Sequence, residues 1–284
     1  MDEAALHHIA AQRAWSIEVD RLIAETATSW VYRVHKDDGF AVLKILKPYG
    51  ADEIIGANLM QWCGGDGMAI IHDIKDHMIL MEWLGGASLG DMSRSGQDDQ
   101  ATTILCDVAA AMHRPRSAPP PKLTLLAQQC EPLTGNAPDC WPSAQLDVFK
   151  YVSRLAKALL ANSPPPQPLH GDLHHDNIMH SPRGWLAIDP KGLWGDPAYE
   201  FSNVFRNPVG AKALATDPVR LVRVAEIIAS RTALPKNRIL GWAAVHSALS
   251  VTWNASANRP VDDDFVMISL LLDAYESDTT TNKP

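Results

Sequence analysis

Leu169-His170-Gly171-Asp172-Leu173-His174-His175-Asp176-Asn177-Ile178, followed downstream by Ile188-Asp189-Pro190, is the stretch on which the reading of this chain turns. Asp172 is followed by an Asn at position 177 and a second Asp at 189, set among apolar residues that suggest two short strands. The arrangement suits a metal–nucleotide site. One Asp can orient a nucleophile while the Asn and the other Asp offer hard oxygens to Mg²⁺. The chemistry it points to is phosphoryl transfer.

Upstream of the motif, residues 1 to about 85 read as a strand-rich lobe. Val19–Glu25, Trp30–His35 and Phe40–Leu46 have strand character, with Asp38-Gly39 as the predicted hairpin turn because both residue types tolerate positive φ. A helix is expected over Ile54–Trp62, ended by Gly64-Gly65, and two further strands over Ala69–Asp73 and His77–Trp83. After Gly85-Gly86 the apolar period changes to that of helices, over Gln100–His113 and Leu146–Ala161. Between them lie a Pro-rich connection at 117–121 and a loop from Glu131 to Pro142. Pro164-Pro165-Pro166 leads into the motif in extended conformation. Val219–Arg231, Lys236–Ala257 and Asp262–Tyr275 read as helices, and the tail from Thr279 to Pro284 as disordered.

Composition narrows the partners. The 284 residues are 46% apolar and 20% charged, enough to bury a sizeable core as one large domain or two coupled lobes. A net charge of −8 argues against nucleic acid and leaves room for a cationic ligand. Met1 to His8 carries no basic segment leading into an apolar one, and no apolar run is long enough for a membrane span, so a cytoplasmic location is expected. Cys63, Cys106, Cys130 and Cys140 lack any Cys-x-x-Cys spacing and read as reduced, partly buried thiols.

A small antiparallel-sheet lobe (1–85), a Gly-containing hinge and a larger, mostly helical lobe (86–284) make an α+β, protein-kinase-like layout. His170–Ile178, Gly184–Leu193 and Gly195–Glu200 together resemble the aminoglycoside phosphotransferases, and among them the streptomycin 6-kinase and aminoglycoside/hydroxyurea resistance kinases, with the likeness running from about Trp15 to Tyr275. That resemblance implies ATP and Mg²⁺. It makes Asp172 the catalytic carboxylate, Asn177 and Asp189 the metal ligands, Lys44 the strand lysine on the α and β phosphates, and Glu53 its helix partner. Met81-Glu82-Trp83-Leu84 matches the hinge, so the backbone at Glu82 and Leu84 is expected to meet adenine. Where protein kinases carry a glycine-rich hairpin, this chain has Glu25-Thr26-Ala27-Thr28-Ser29, whose amides and hydroxyls at Thr28 and Ser29 can cover phosphates. That departure favours a small-molecule acceptor. No Gly-x-x-x-x-Gly-Lys-Ser/Thr segment is present, which argues against a P-loop NTPase.

Simpler readings compete. Asp172 and Asn177 in isolation are ordinary turn residues, and Lys44 in isolation is an ordinary solvated strand lysine. Lys191 could approach a phosphate or pair with a carboxylate, and Asp196 and Tyr199 read as anchors of the segment after Asp189. For a cationic acceptor the candidate contacts are Glu200 and the Asp262-Asp263-Asp264 run, with Trp194 and Trp253 as stacking surfaces. Three functions stand open: a kinase of a streptomycin-type antibiotic, a kinase of another hydroxylated metabolite, and a non-catalytic binding module of kinase fold.

Overall fold

The computed structural model describes residues 11–135 and 141–281; the readings on Met1–His8, Cys140 and 282–284 lie outside the described residues. Five strands form one antiparallel sheet: β1 (Glu18–Glu25), β2 (Ser29–Lys36), β3 (Gly39–Leu46), β4 (Ile71–Lys75) and β5 (Met78–Glu82), in the order β1-β2-β3-β5-β4. The turn between β2 and β3 is Asp37-Asp38, with Asp37 at φ +51°, and Gly39 is already paired with Lys36. The Asp38-Gly39 turn expected from the sequence is therefore one residue late: a lone Asp tolerates the left-handed region well enough to open the hairpin.

β3 lies between β2 and β5, and from Ala41 to Leu46 every residue is buried. Alternation along the strand sorts its side chains. Leu43 and Ile45 join Tyr32, Val34 and Leu80 on one face, while Val42 and Leu46 join the main core on the other. Lys44 shares the face of Val42 and Leu46. The helix α1 (Glu53–Cys63) closes at Gly64 in the left-handed region, φ +62°. Its N-terminal residue Glu53 meets Lys44 at 2.5 Å.

The remaining helices are α2 (Leu89–Arg94), α3 (Asp98–Met112), α4 (Leu146–Ala161), α5 (Pro218–Thr232), α6 (Lys236–Ser256) and α7 (Asp262–Thr281), with single helical turns at Leu126–Gln129, at Lys212–Ala215 and, inside the segment expected to be a loop, at Glu131–Thr134. α6 is buried along most of its length and packs on α4, α5 and α7. The tail departs from expectation as well. α7 continues to Thr281, held by the ion pair of Asp278 with Lys236 at 3.0 Å and by Thr279 and Thr280 hydroxyls donating to the carbonyls of Tyr275 and Glu276. Among the described residues no helix is long and apolar enough to cross a membrane.

The segment that carries the motif is threaded between these halves. Short strands β6 (Thr124–Leu125), β7 (Gln167–Leu169) and β10 (Leu193–Gly195) form one ribbon, while β8 (Ile178–Ser181) and β9 (Gly184–Ala187) form a hairpin. The hairpin is bonded on both sides to the chain around the sheet: Ala69 N–H donates to Ala187 O at 3.0 Å, and His180 N–H to Ala87 O at 2.9 Å. Two buried or half-buried ion pairs clamp it further. Arg183 spans Glu82 at 2.5 Å, and Arg94 holds Asp176 at 2.8 Å. A buried pair, Asp98–Arg220 at 2.7 Å, joins α3 to α5, and Arg220 also donates to the carbonyls of Phe205 and Asn207, fixing the irregular turn that leads out of the site.

α1 touches the motif at one close point. A Cβ placed on Gly56 would lie 1.8 Å from the carbonyl oxygen of Pro190, a backbone atom that cannot swing away. Gly56→Ala must therefore separate α1 from the segment Asp189–Lys191. Overpacking of this kind costs about 1–3 kcal/mol. Chemical denaturation of the variant is expected to show that loss, together with a raised nucleotide Kd; unchanged values for both would mean that the contact does not set the spacing.

Candidate active site

The sequence places Asp172, Asn177 and Asp189 apart; local hydrogen bonds bring them together. Pairing of Ile178 with Ala187 across the β8–β9 hairpin puts Asn177 beside Ile188, whose N–H donates to Asn177 O at 2.9 Å. The Asn177 side-chain amide donates to Asp172 O at 3.0 Å, which leaves its oxygen for the cleft. His170 ties the same loops from below: its Nε2 bonds Ile188 O at 2.9 Å and its Nδ1 accepts from Asp172 N–H at 3.2 Å. Both bonds are satisfied by one neutral tautomer. Burial holds the His170 pKa below its ordinary value in spite of Glu200 and Asp172 nearby.

Asp189 sits at φ +57°, a strained conformation for a residue with a Cβ, of the kind that clusters at functional sites. Its Oδ1 accepts from Lys44 Nζ at 2.9 Å, and Lys44 meets Glu53 at 2.5 Å. The Asp189 side chain is 47% open to the cleft. Desolvation by the walls pushes its pKa up, but the charge and hydrogen bond of Lys44, with His170 and Lys191, outweigh this and hold it below the usual carboxylate value. For Lys44 the balance is reciprocal: burial lowers its pKa, and Asp189 and Glu53 together raise it above the ordinary value.

Lys44, Glu53, Asp172, Asn177 and Asp189 line a cavity of about 410 Å³ together with Thr28 and Ser29, and the apolar side chains of Val31, Ala57, Ile79 and Met81 cover another part of its wall. The turn before β2 is organised by Thr26, whose hydroxyl accepts N–H bonds from Thr28 and Ser29 at 3.2 and 2.9 Å. The wall reaches Met81 but not Glu82 or Leu84. The Glu82 side chain faces Arg183 and Ile70 N–H, and the Glu82 N–H is taken by Ile70 O at 2.8 Å. The oxygens of Asn177 and Asp189 fit a hard divalent cation that takes its other ligands from phosphates and water.

A second cavity, about 690 Å³, shares Glu53, Asp172 and Lys191 with the first. Its other walls include Asp52, Asn203, Arg206, His246, Ser250, Trp253, Asn254 and Arg259. Asp172 Oδ1 accepts from the Asn203 amide at 2.7 Å, which fixes the carboxylate between the two cavities. Asn203 and Arg206 went unnoticed in the sequence because they lie in an irregular turn with no periodic signal.

Four expected acceptor contacts need correction or confirmation of place. Glu200 is 1% exposed, accepts from the N–H groups of His170 at 2.9 Å and Gly171 at 3.3 Å, and pairs with His113 at 2.9 Å. It braces the loop from inside and cannot reach an acceptor. The Asp262 run is also spent elsewhere: Asp263 pairs with Lys212 and Asp264 with Arg206 and Asn254, while Asp262 is exposed outside both cavities. Trp194 lies in β10, away from both walls. Trp253 alone of the four lines the second cavity, 37% exposed and 5.5 Å edge-on from the His246 ring. Asp196 is an internal anchor, capping Ala198 N–H and accepting from Trp242 and Arg238. Cys63, Cys106 and Cys130 are buried free thiols whose pKa values desolvation raises to about 11, 12 and 12.

A five-strand sheet facing a helical lobe, with Lys44, Glu53, Asp172, Asn177 and Asp189 around one cleft, is the layout of a protein-kinase-like phosphotransferase. Solved structures share the fold: a choline kinase from Cryptosporidium parvum (TM-score 0.66, 11% identity, covering 98% of this chain and 96% of that one) and an aminoglycoside phosphotransferase in ternary complex with ADP and hygromycin B (TM-score 0.65, 12%, covering 98% and 99%). Residues 14–258 match the model of the aminoglycoside/hydroxyurea antibiotic resistance kinases, and the chain belongs to that family. It is similar to a streptomycin 3″-kinase of Klebsiella pneumoniae, 37% identical over 84% of this chain and 89% of that protein. A streptomycin 6-kinase of Streptomyces griseus is 27% identical over 84% of this chain and 79% of its own length.

The Glu200 bracket generates a pH prediction. Burial pushes the Glu200 pKa up, yet the His113 hydrogen bond and charge, His170 and the backbone N–H hold it below the ordinary carboxylate value. A depressed folded-state pKa contributes stability that is full above the unfolded value of about 4.3 and is lost as pH falls through the folded value. Glu200→Gln, which turns an amide toward a backbone N–H, should cost roughly 3 kcal/mol near neutral pH. Urea titrations should show that deficit shrinking in acid; a pH-independent deficit would assign the loss to packing alone.

Proposed function

We propose that the protein is an ATP- and Mg²⁺-dependent kinase that transfers the γ-phosphoryl group to a hydroxyl of an aminoglycoside-type antibiotic, streptomycin first among them. The observation that carries the reading is the position of Asp172, fixed by Asn203 on the wall common to the two cavities. A nucleotide on one side and a hydroxyl on the other would meet across this carboxylate. Residues 1–85 then act as the nucleotide lobe and 86–284 as the catalytic and acceptor lobe.

In that mechanism the apolar walls at Val31, Ala57, Ile79 and Met81 hold the adenine. Lys44, kept charged by Glu53 and Asp189, takes the α and β phosphates, and the Thr28-Ser29 turn covers them. Asn177 and Asp189 would hold Mg²⁺, which supplies charge neutralisation on the phosphates when bound. Asp172 accepts a hydrogen bond from the acceptor hydroxyl, aims its lone pair at phosphorus and receives its proton. In the second cavity Asp52 and Asp172 are the carboxylates available to a cationic acceptor, Glu53 being held by Lys44, and Trp253 offers a face to a sugar ring or a guanidinium. The higher identity to the streptomycin 3″-kinase supports the 3″ hydroxyl over the 6 hydroxyl as the acceptor.

The test is an ATP-consumption screen with streptomycin, other aminoglycosides, hydroxyurea, choline and simple sugars, with the phosphate position on any product mapped by NMR. Phosphorylated streptomycin is expected, and Asp172→Asn should lower its turnover roughly 10²-fold or more while retaining Mg·ATP binding. Turnover of choline or a sugar with no aminoglycoside product would replace the acceptor. Wild-type turnover by Asp172→Asn would remove Asp172 from the mechanism.

A further inference from the structure

Lys191 stands two residues after Asp189, outside the set of residues the resemblance assigns, and its surroundings give it a task. Its N–H donates to His170 O at 2.7 Å, the neighbouring Gly192 N–H donates to the same oxygen at 3.2 Å, and its Cβ lies 3.4 Å from where a Cβ on Gly171 would stand. The side chain thus leaves the backbone directly against the loop that presents Asp172. It lines the first cavity and the second, and it is exposed to both.

The other cations of these walls differ in one respect. Lys44 is committed to Glu53 and Asp189, and Arg206 to Asp264 and Ser250. Arg259 lines only the second cavity. Among the described residues Lys191 has no ion pair or hydrogen bond from its ammonium, and it is the cation that reaches both sides of the Asp172 wall. Of the two readings the sequence left for it, pairing with a carboxylate is therefore the one the structure does not support. A solvated ammonium in the path of a cationic acceptor would repel it, unless negative charge lies between the two. On the line from nucleotide to acceptor that charge is the Asp172 carboxylate and, during the reaction, the phosphoryl group in transfer.

We propose that Lys191 is a catalytic residue whose ammonium binds the equatorial oxygens of the γ-phosphoryl group as it passes from nucleotide to acceptor; this rests on the phosphoryl-transfer reading of the same site. The acceptor oxygen forms a bond to phosphorus, the bond from phosphorus to the β,γ-bridging oxygen breaks, and its electron pair stays on ADP. The hydroxyl proton passes to Asp172. Charge spread over the three equatorial oxygens is greatest midway, and a fixed cation there lowers the barrier more than it strengthens ground-state binding. Lysine suits the position as a compact point charge with no carboxylate to hold it elsewhere.

The experiment compares wild type with Lys191→Met and Lys191→Arg in two assays. The first is steady-state phosphorylation of streptomycin. Lys191→Met should lower kcat roughly 10²-fold with KM for both substrates within about threefold, and Lys191→Arg should recover most of kcat. The second needs no acceptor: Kd for ADP with Mg²⁺, alone and with aluminium fluoride as a mimic of the planar phosphoryl group. Lys191→Met should leave the ADP value unchanged and weaken the fluoride complex by a factor similar to the loss in kcat. Wild-type kcat in Lys191→Met, a change confined to either KM, or equal loss of ADP and fluoride-complex affinity would each overturn the proposal. Should wild type phosphorylate no aminoglycoside, the acceptor reading fails, and the fluoride titration still decides the role of Lys191.

Discussion

The contact on which the rest of this molecule depends is the ammonium of Lys44 held between Glu53 and Asp189. It joins three pieces of chain that have no other reason to share a point: the central strand of the sheet, the first turn of α1, and a segment 145 residues downstream. Two carboxylates around one buried lysine keep it charged, and the lysine in turn keeps Asp189 ionised. The surrounding structure serves this alignment. Gly56 allows α1 to lie against Pro190, Arg183 and Arg94 clamp the hairpin that carries Asn177, and His170 with Glu200 supports the loop beneath Asp172. Such positioning is most of what phosphoryl transfer asks of a protein, since little covalent chemistry falls to its side chains.

The second cavity is less acidic than a polycationic acceptor suggested. Asp52, Glu53 and Asp172 face Lys191, Arg206 and Arg259, and the acidic run of α7 is turned to holding Arg206 and Lys212 in place. Under the proposed function, recognition there would fall to a few carboxylates near Asp172, to the Trp253 face and to neutral groups such as Asn254. Steric fit and hydrogen bonding weigh more than bulk charge in that arrangement, which is why a net charge of −8 was permissive and not diagnostic.

Much of this could be read before the structure was known, and the reasons are local. The strands of the sheet and the long helices have strong periodicity, and Asn177 and Asp189 flank a short hairpin whose two strands are adjacent in sequence, with Asp172 a few residues ahead of it. Glu200 shows where such reading stops. Its carboxylate suggested a contact for a cationic acceptor, but a 3₁₀ turn capped by Asp196 rotates it inward under His170. Asp263 and Asp264 were misplaced for a related reason: an acidic helix start looks the same whether it faces solvent, a ligand or an arginine from another element. Asn203, which orients Asp172, lies in an irregular turn fixed by the long-range reach of Arg220, and no spacing within the chain announces it.

In the proposed mechanism, with Asp172 on the wall between two cavities, the phosphoryl group would pass directly from one side to the other, without a stop on the protein. The stereochemical course at phosphorus tests that passage most directly. With ATP made chiral at the γ-phosphorus by oxygen isotopes and streptomycin as acceptor, one in-line displacement predicts inversion of configuration in the product. Retention would mean two displacements through a phosphorylated side chain, and would contradict the account of Asp172 as the group that aims the hydroxyl.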